Sequence, residues 1–590
     1  MKNFWSTFLA CFLAIVAGSI ALSMLSFIML AGMVAAFSSD ETVSVQYNSV
    51  LKIELTEKIM DNPSQNPFSS IDPFSMNVTK SLSLLSVLNS IERAAQDDRI
   101  EGIYLNFSGL SVGVGTTEEI RNALTEFKES GKFIVSYSDY YTQGSYYLAS
   151  VADEIYMNPA GGLDWRGMAS TSLFFKGALD KLGVKAEIYR VGEFKSAVEP
   201  FMADRMSPEN RQQMEVLLNS IWGNIVKEVA DARGIDSALL QRYASALEVV
   251  NPQKALELGL LDGLKYNDEV LADLSARTYK SAGEEPEMVR LAEYIKVPNP
   301  SRRLSGNRIA LVYAEGDIVD GTATDGVVAG ETLAAKLANV RRDDKIKAVV
   351  LRVNSPGGSA LASEVIWREL SLIQQEKPVI VSMGDYAASG GYYIACPADV
   401  ILADKHTLTG SIGVFGLMLN VEDAFKNKLG ITADVAKTNP SGDIGNSFRS
   451  ATPAERAYIQ NSVEEVYSTF VGHVADGRNL EYDEVLKIAG GRVWSGINAR
   501  AIGLIDGFGG LKDAIGLAAD RAGISDDYRV VMPEDPLDQL SRLFGSFFAA
   551  KAASRMNPAE MELLREYRSL SRILEQEGVQ ARMPYTFQIQ

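Results

Sequence analysis

Two short segments of this chain combine reactive residue types with the backbone freedom that chemistry at a carbonyl demands. The first is Asn354-Ser355-Pro356-Gly357-Gly358-Ser359, which follows an apolar β-branched run and precedes a helical pattern. Adjacent glycines at a strand-to-helix turn let backbone N–H groups converge on an anion at the helix N-terminus, as an oxyanion hole or a phosphate loop requires. A tight turn that binds nothing has the same signature. The second segment is Gly384-Asp385-Tyr386-Ala387-Ala388-Ser389-Gly390-Gly391-Tyr392-Tyr393. Ser389 stands there among small residues at another such turn, which leaves room for a substrate carbonyl to approach its hydroxyl. It is a candidate nucleophile, with an ordinary helix N-cap as the competing reading.

A serine at its normal pKa needs a base. The chain has two histidines, His406 and His473. His406 follows Ser389 by 17 residues and a Ser–His pair is conceivable, but its context reads more readily as a surface position. The other kind of base is a lysine in a desolvated pocket, where burial lowers the amine pKa toward neutrality. Lys195, in Gly192-Glu193-Phe194-Lys195-Ser196-Ala197-Val198-Glu199-Pro200-Phe201, has an unusually apolar setting.

The elements that position these residues come from an internal repeat. Asp97–Leu105 resembles Asp343–Leu351 at an offset of 246, and Tyr146–Asp153 resembles Tyr392–Asp399 at the same offset. Ala255–Gly263 matches Ala499–Gly507 at an offset of 244. Three separated windows in one register imply a duplicated domain. Within each copy short strands alternate with helices: Ile346–Val353 and Pro378–Met383 are β-branched runs suited to buried strands, and Glu331–Val340 and Leu361–Gln375 carry helical spacing. The fold class is therefore α/β. Ala282–Leu304, rich in Pro and Glu, reads as the connection between copies. At the 246 offset the first copy has Gln143 where the second has Ser389, and Ser108-Gly109-Leu110-Ser111-Val112 in place of the paired glycines. Opposite Lys195 the second copy has Ser441, within Asn439-Pro440-Ser441-Gly442-Asp443. If Ser389 and Lys195 act together, each copy keeps half of a dyad, and the two must pack with equivalent ends together.

Composition removes other classes of function. The 590 residues carry a net charge of −18, the wrong sign for sequence-independent nucleic-acid binding. No metal-ligand cluster, dinucleotide fingerprint or phosphate loop with its lysine is present, so no cofactor or metal is expected. Cys11 and Cys396 are too few for a disulfide framework. From Asn3 to Ser39 there is no charged residue, and Phe8–Phe37 is long and apolar enough to span a bilayer, with a cleaved signal peptide as the alternative. Lys2 before the segment, and Asp40 and Glu41 after it, orient the body outward. Near the other end Pro558 opens a helical pattern through Met561, Leu564, Tyr567, Leu570 and Leu574, with Gly578 to end it. Arg565, Arg568 and Arg572 give that helix a solvated or membrane-surface face. Ala581–Thr586, held extended by Pro584, is either a strand across a neighbour's groove or a loose end.

Asn354–Ser359, Gly384–Tyr393, Thr409–Gly416 and Glu193–Phe201 together resemble the long, duplicated form of the bacterial signal peptide peptidase A family, serine-lysine proteases of the ClpP/crotonase-like fold. The resemblance covers residues 45–530. It implies Ser389 as nucleophile, Lys195 as general base, Gly358 and Gly390 amides as oxyanion hole, and Ser411 as the group orienting the lysine. His406 has no role in that scheme. It further implies residues 1–38 as a transmembrane anchor, ClpP/crotonase-like repeats at 45–285 and 305–530, and a helical tail at 531–590. The expected substrates are cleaved signal peptides and other short apolar peptides, at the outer face of the bacterial cytoplasmic membrane, with a ring-like homotetramer enclosing the sites. A crotonase-like enzyme acting on acyl thioesters and a non-catalytic membrane scaffold are the rival readings.

Overall fold

The run Ile346–Ser355 is apolar at six of its ten positions and buried at eight, on both faces, as a central parallel strand demands. It lies in the middle of the second copy's sheet, ordered Gly507–Phe508, Val400–Ala403, Val379–Ala388, Ile346–Ser355, Arg308–Glu315, Arg529–Val531, all neighbours parallel. The first copy repeats this order with Gly263–Leu264, Glu154–Leu163, Phe133–Tyr141, Ile100–Phe107, Ser49–Ile53 and Met288–Arg290, again all parallel. The duplication read from the offsets is thus a duplication of sheet topology. The structure, a computed structural model, describes Gly18, Met24 and residues 44–62, 81–107, 109–110, 112–278, 284–298, 305–322, 326–533 and 579–583. These fall into two compact units, Met1–Val45 with Lys296–Pro298, and Gln46–Ile295 with Asn299–Gln590; both copies belong to the second.

Helices cover the second sheet on both faces. Gly330–Arg342 and Ala360–Gln374 pack on one side through Leu333, Leu337, Ile366, Leu370 and Ile373, and Leu511–Arg521 packs on the other through Leu511, Ala514, Ile515 and Ala518. Both helices expected on the first of these faces are present with ends shifted by one or two residues. Ala282–Leu304 is more than a linker. Met288–Arg290 closes the edge of the first sheet and Leu291–Tyr294 adds a helical turn, because a strand is needed there to pair with Ser49–Ile53. The apolar segment 8–37 lies outside the described residues apart from Gly18 and Met24, and the tail helix expected from Pro558 to Gly578 lies outside them altogether. Among the described residues no helix is long and apolar enough to cross a membrane.

A third, mixed sheet belongs to both copies. Its order is Val327–Ala329, Asp317–Val319, Gly357–Ser359, Gln580–Arg582, Val414–Asn420, Lys185–Val191. The last pair joins the copies antiparallel over seven residues, from Val414↔Val191 to Asn420↔Lys185.

Buried charges make the second join. Arg352, wholly buried on the central strand of the second copy, donates to Asp61 Oδ1 at 2.8 Å and to Glu119 Oε1 at 2.5 Å, both in the first copy. Glu119 also accepts the Leu511 amide at 2.8 Å, at the start of the second copy's covering helix. Burial raises the Glu119 pKa and the Arg352 guanidinium opposes that rise. Removing the cation would strand two carboxylates without water, a loss of about 3–5 kcal/mol for a buried pair. Arg352→Ala is therefore expected to lower unfolding stability by about that amount in urea titration; a change under about 1 kcal/mol would remove this cluster from the account of how the copies are held.

Candidate active site

Two strand registers bring the chemistry together. Val379–Ala388 runs parallel to Leu408–Gly410 with Ala388 opposite Gly410, so the next residues on each strand, Ser389 and Ser411, emerge side by side. The antiparallel pair of Lys185–Val191 with Val414–Asn420 ends at Val191↔Val414, so the chain after Val191 runs beside Ser411–Gly413. Four residues past Val191 is Lys195.

The geometry that results is compact. Lys195 Nζ lies 2.7 Å from Ser389 Oγ, 3.0 Å from Ser411 Oγ and 3.1 Å from the Ser411 carbonyl oxygen. Lys195, Ser389 and Ser411 are all fully buried. Desolvation holds the Lys195 amine well below its ordinary pKa, and among the described residues no carboxylate hydrogen-bonds to it to restore that value. A neutral amine has two N–H donors and one lone pair. Ser411 supplies two acceptors, which leaves the lone pair for the Ser389 hydroxyl.

Ser389 has φ 57° and ψ −115°, a left-handed conformation that costs a non-glycine residue energy. It is held there by its amide donating to the Gly410 carbonyl at 2.7 Å and by its own carbonyl accepting the Tyr393 amide at 2.8 Å. Its place at the start of the helix Gly390–Ala395 suits an N-cap, yet its side chain makes no cap hydrogen bond. The oxygen is committed to Lys195 instead.

Gly357–Ser359 forms a short strand whose backbone packs tightly. A Cβ on Gly358 would collide with the Ile318 backbone, and one on Gly357, which has φ 99°, would lie 2.6 Å from the Gly390 amide nitrogen. A Cβ on Gly390 would in turn sit 3.1 Å from the Gly358 amide nitrogen and 2.7 Å from Ser363 Oγ. Both glycines singled out as donors therefore face the same small space, at the N-terminus of a helix or beside it.

The surroundings of the lysine include residues that sequence reasoning missed. Gly490-Gly491 wraps the Lys195 backbone: Phe194 donates to the Gly490 carbonyl at 2.9 Å, and a Cβ on Gly491 would lie 2.6 Å from the Lys195 Cβ. Gln213 spans the copies, donating to Ser196 Oγ at 3.3 Å and accepting the Val493 amide at 2.8 Å. A double glycine at 490–491 was the available signal, but nothing local connects it to a lysine so far away in the chain.

His406 is not a surface residue. It is buried, 3.0 Å from Glu118 Oε2 through Nδ1 and 3.0 Å from Asn224 Nδ2 through Nε2, with Tyr147 edge-on at 5.8 Å. It packs between the copies because both partners come from the first one, and it makes no contact with Ser389. His473 stacks on Trp367 at 3.5 Å and meets Glu364 at 3.0 Å. In the first copy Gln143, opposite Ser389, is a structural tie: its Oε1 accepts the amides of Arg166 at 2.9 Å and Gly167 at 2.7 Å. Ser441, opposite Lys195, is exposed.

Comparison with known proteins identifies the family. A model of "Peptidase family S49" matches residues 126–279 and again 371–525, one match in each copy. "Protease 4" of Salmonella typhi is 39% identical over 75% of this chain and 72% of its own length. "Protease 4" of Haemophilus influenzae is 35% identical over 84% and 83%, and "Serine protease SPPA, chloroplastic" of Arabidopsis thaliana is 34% identical over 78% and 69%. The solved structure of a ClpP1 point mutant from Listeria monocytogenes overlaps 35% of this chain and 94% of its own at 16% identity with a TM-score of 0.23, too slight a likeness to bear on the fold. Two family matches in register with two equivalent sheets, and relatives named as proteases over most of the chain, lead to one conclusion: this chain belongs to peptidase family S49 and is a serine protease.

Proposed function

We propose that peptide bonds are cleaved by Ser389 as nucleophile with Lys195 as general base, and that the protease is anchored in the cytoplasmic membrane through residues 8–37. The observation that carries this reading is the 2.7 Å contact between a wholly buried lysine amine and a buried serine hydroxyl held in a strained backbone conformation. The unprotonated amine takes the Ser389 proton as the oxygen attacks the substrate carbonyl. The Gly358 and Gly390 amides stabilise the oxyanion, each donor contributing about 3–4 kcal/mol to the barrier. Lysine then protonates the leaving amine, and a water activated by the same lysine releases the acyl group. Ser411 is a positioning residue: it accepts both N–H groups, so the lone pair faces Ser389.

The name of one relative and the sequence support the substrate class. One relative is called "Putative signal peptide peptidase SppA", and cleaved signal peptides or other short apolar peptides suit a site reached through backbone pairing. The soluble copies, 45–285 and 305–530, face outward from the cytoplasmic membrane on the charge pattern around the anchor; the segment 531–590, expected as a helical tail, returns a strand, Gln580–Arg582, to the sheet the copies share. Exposed apolar side chains at Leu173, Leu182, Leu429 and Ile431 offer surface for neighbouring copies in a homotetramer.

Ser389→Ala and Lys195→Met are each expected to lower kcat/KM on a quenched fluorescent peptide by roughly 10,000-fold; near-normal turnover in either would refute the dyad. Ser411→Ala is expected to lower kcat by up to about 100-fold with KM held, since it loosens the amine without touching substrate. The pH dependence has a definite sign. Activity rises with pH through the depressed Lys195 pKa and then levels, because only the neutral amine accepts a proton. Stability also rises with pH from that depressed value up to the ordinary lysine range, because there the unfolded chain binds the proton that the folded chain lacks. Lys195→Met is therefore expected to be inactive yet to melt no lower than wild type at neutral pH and to lose that part of the pH dependence. A melting point well below wild type would contradict an unprotonated buried amine.

A further inference from the structure

The segment Val579–Met583, at the far end of the chain, lies in the space a substrate would need. Gln580–Arg582 pairs antiparallel with the glycine strand, Gly357↔Arg582, Gly358↔Ala581 and Ser359↔Gln580, and its other edge meets Val414–Asn420 at Phe415↔Gln580. It is thus a strand added between one strand that carries a proposed oxyanion donor and one that leads away from Ser411. In an antiparallel ladder hydrogen-bonded pairs alternate with non-bonded ones. Met583 donates to the Pro356 carbonyl at 2.6 Å, and Ala360 donates to the Val579 carbonyl at 3.2 Å, so the pair between them, Gly358 and Ala581, is a bonded one. The Gly358 amide therefore addresses the Ala581 carbonyl. That oxygen also lies 3.0 Å from where a Gly390 Cβ would be. Ala581 is wholly buried. A substrate carbonyl in this register would meet the same donors, and the bond that follows it here is Ala581–Arg582.

The residue after that bond is held by a charge. Arg582 Nη2 lies 3.0 Å from Asp317 Oδ1 and 3.2 Å from Oδ2, with the two side chains 15% and 9% exposed. Asp317 directly precedes Ile318, the register partner of Gly358. The carboxylate is thereby fixed on the strand next to the oxyanion donor, where a charge-assisted contact is strong and directional.

We propose that Val579–Met583 binds the cleft as a substrate-like strand and that Asp317 is a specificity-determining residue, favouring peptides with a small residue before the scissile bond and a basic residue directly after it. The inference rests on the reading of Ser389, Gly358 and Gly390 given above, and it adds a cationic preference to an otherwise apolar substrate class. The strand also competes with added peptide for the same edges.

The test uses the full-length, detergent-solubilised enzyme and quenched peptides that differ only after the cleaved bond, Ala-Arg against Ala-Glu. Wild type is expected to favour the arginine peptide about tenfold or more in kcat/KM, Asp317→Asn to erase most of that ratio, and Asp317→Lys to invert it. Arg582→Glu, which sets like charge against Asp317, is expected to lower the KM for the arginine peptide severalfold by weakening the competing strand, and Asp317→Lys combined with it to restore the higher value. An unchanged ratio in both Asp317 variants, or a KM indifferent to Arg582→Glu, would overturn the proposal. Ser389→Ala measured alongside separates the two readings: residual full turnover there refutes the dyad, whereas loss of turnover there with a flat peptide ratio in wild type refutes only the role of Asp317.

Discussion

A lysine amine can serve as a base only while water and carboxylates are kept from it, and the role proposed for Lys195 depends on a strand of one copy pairing with a strand of the other. Lys185–Val191 and Val414–Asn420 run antiparallel for their whole length, and the lysine that follows the first is delivered against Ser411 and Ser389 beyond the second. Its three hydrogen bonds all go to serine oxygens. Gly491 lies so close to the Cα and Cβ of the lysine that a methyl group there would not fit. The charges that join the copies, Arg352 with Asp61 and Glu119, form a separate cluster engaged with one another. This leaves desolvation as the dominant influence on the amine.

The duplication explains why the site is asymmetric. Both copies keep the six-strand parallel order, because that order builds the core. What diverged lies at the strand ends. Gln143 stands where the second copy has Ser389 and uses its amide to tie down Arg166 and Gly167, a neutral structural link in place of the serine hydroxyl. The helix Val114–Lys128 of the first copy now receives the second copy's Asp385 near its N-terminus, with the Thr116 amide and hydroxyl donating at 2.9 and 3.0 Å. That is a favourable seat for a carboxylate, although burial still raises the Asp385 pKa. A helix end without a nucleophile beside it has become part of the joint between copies.

Much of this is legible in the residues, and what is not has a physical reason. The α/β class and the repeat show in β-branched runs and fixed offsets, since parallel strands buried on both faces constrain every position. The meeting of Lys195 with Ser389 is implied by the family resemblance, and the different residues at Gln143 and Ser441 fit it if equivalent ends pack together. Local pattern is silent where a contact is made by distant backbone. The Gly490-Gly491 pair is visible but nothing local ties it to the lysine, and Gln213 across the copies leaves no local mark. His406 looks like a surface residue in its own neighbourhood and is buried because Glu118 and Asn224 arrive from the other copy. Ala581–Thr586 reads either as a strand across a neighbour's groove or as a loose end, and Gln580–Arg582 takes the strand form, bonding two open edges within its own chain.

The central claim is that the Lys195 amine is unprotonated in the folded enzyme near neutral pH. Nitrogen-15 NMR of lysine-labelled protein, with the Lys195 signal assigned by its absence in Lys195→Met, measures that directly. The account requires the chemical shift of a neutral amine at pH 7, moving to that of an ammonium only on acidification. A signal that stays in the ammonium range at pH 7 and titrates near the ordinary lysine value would contradict it.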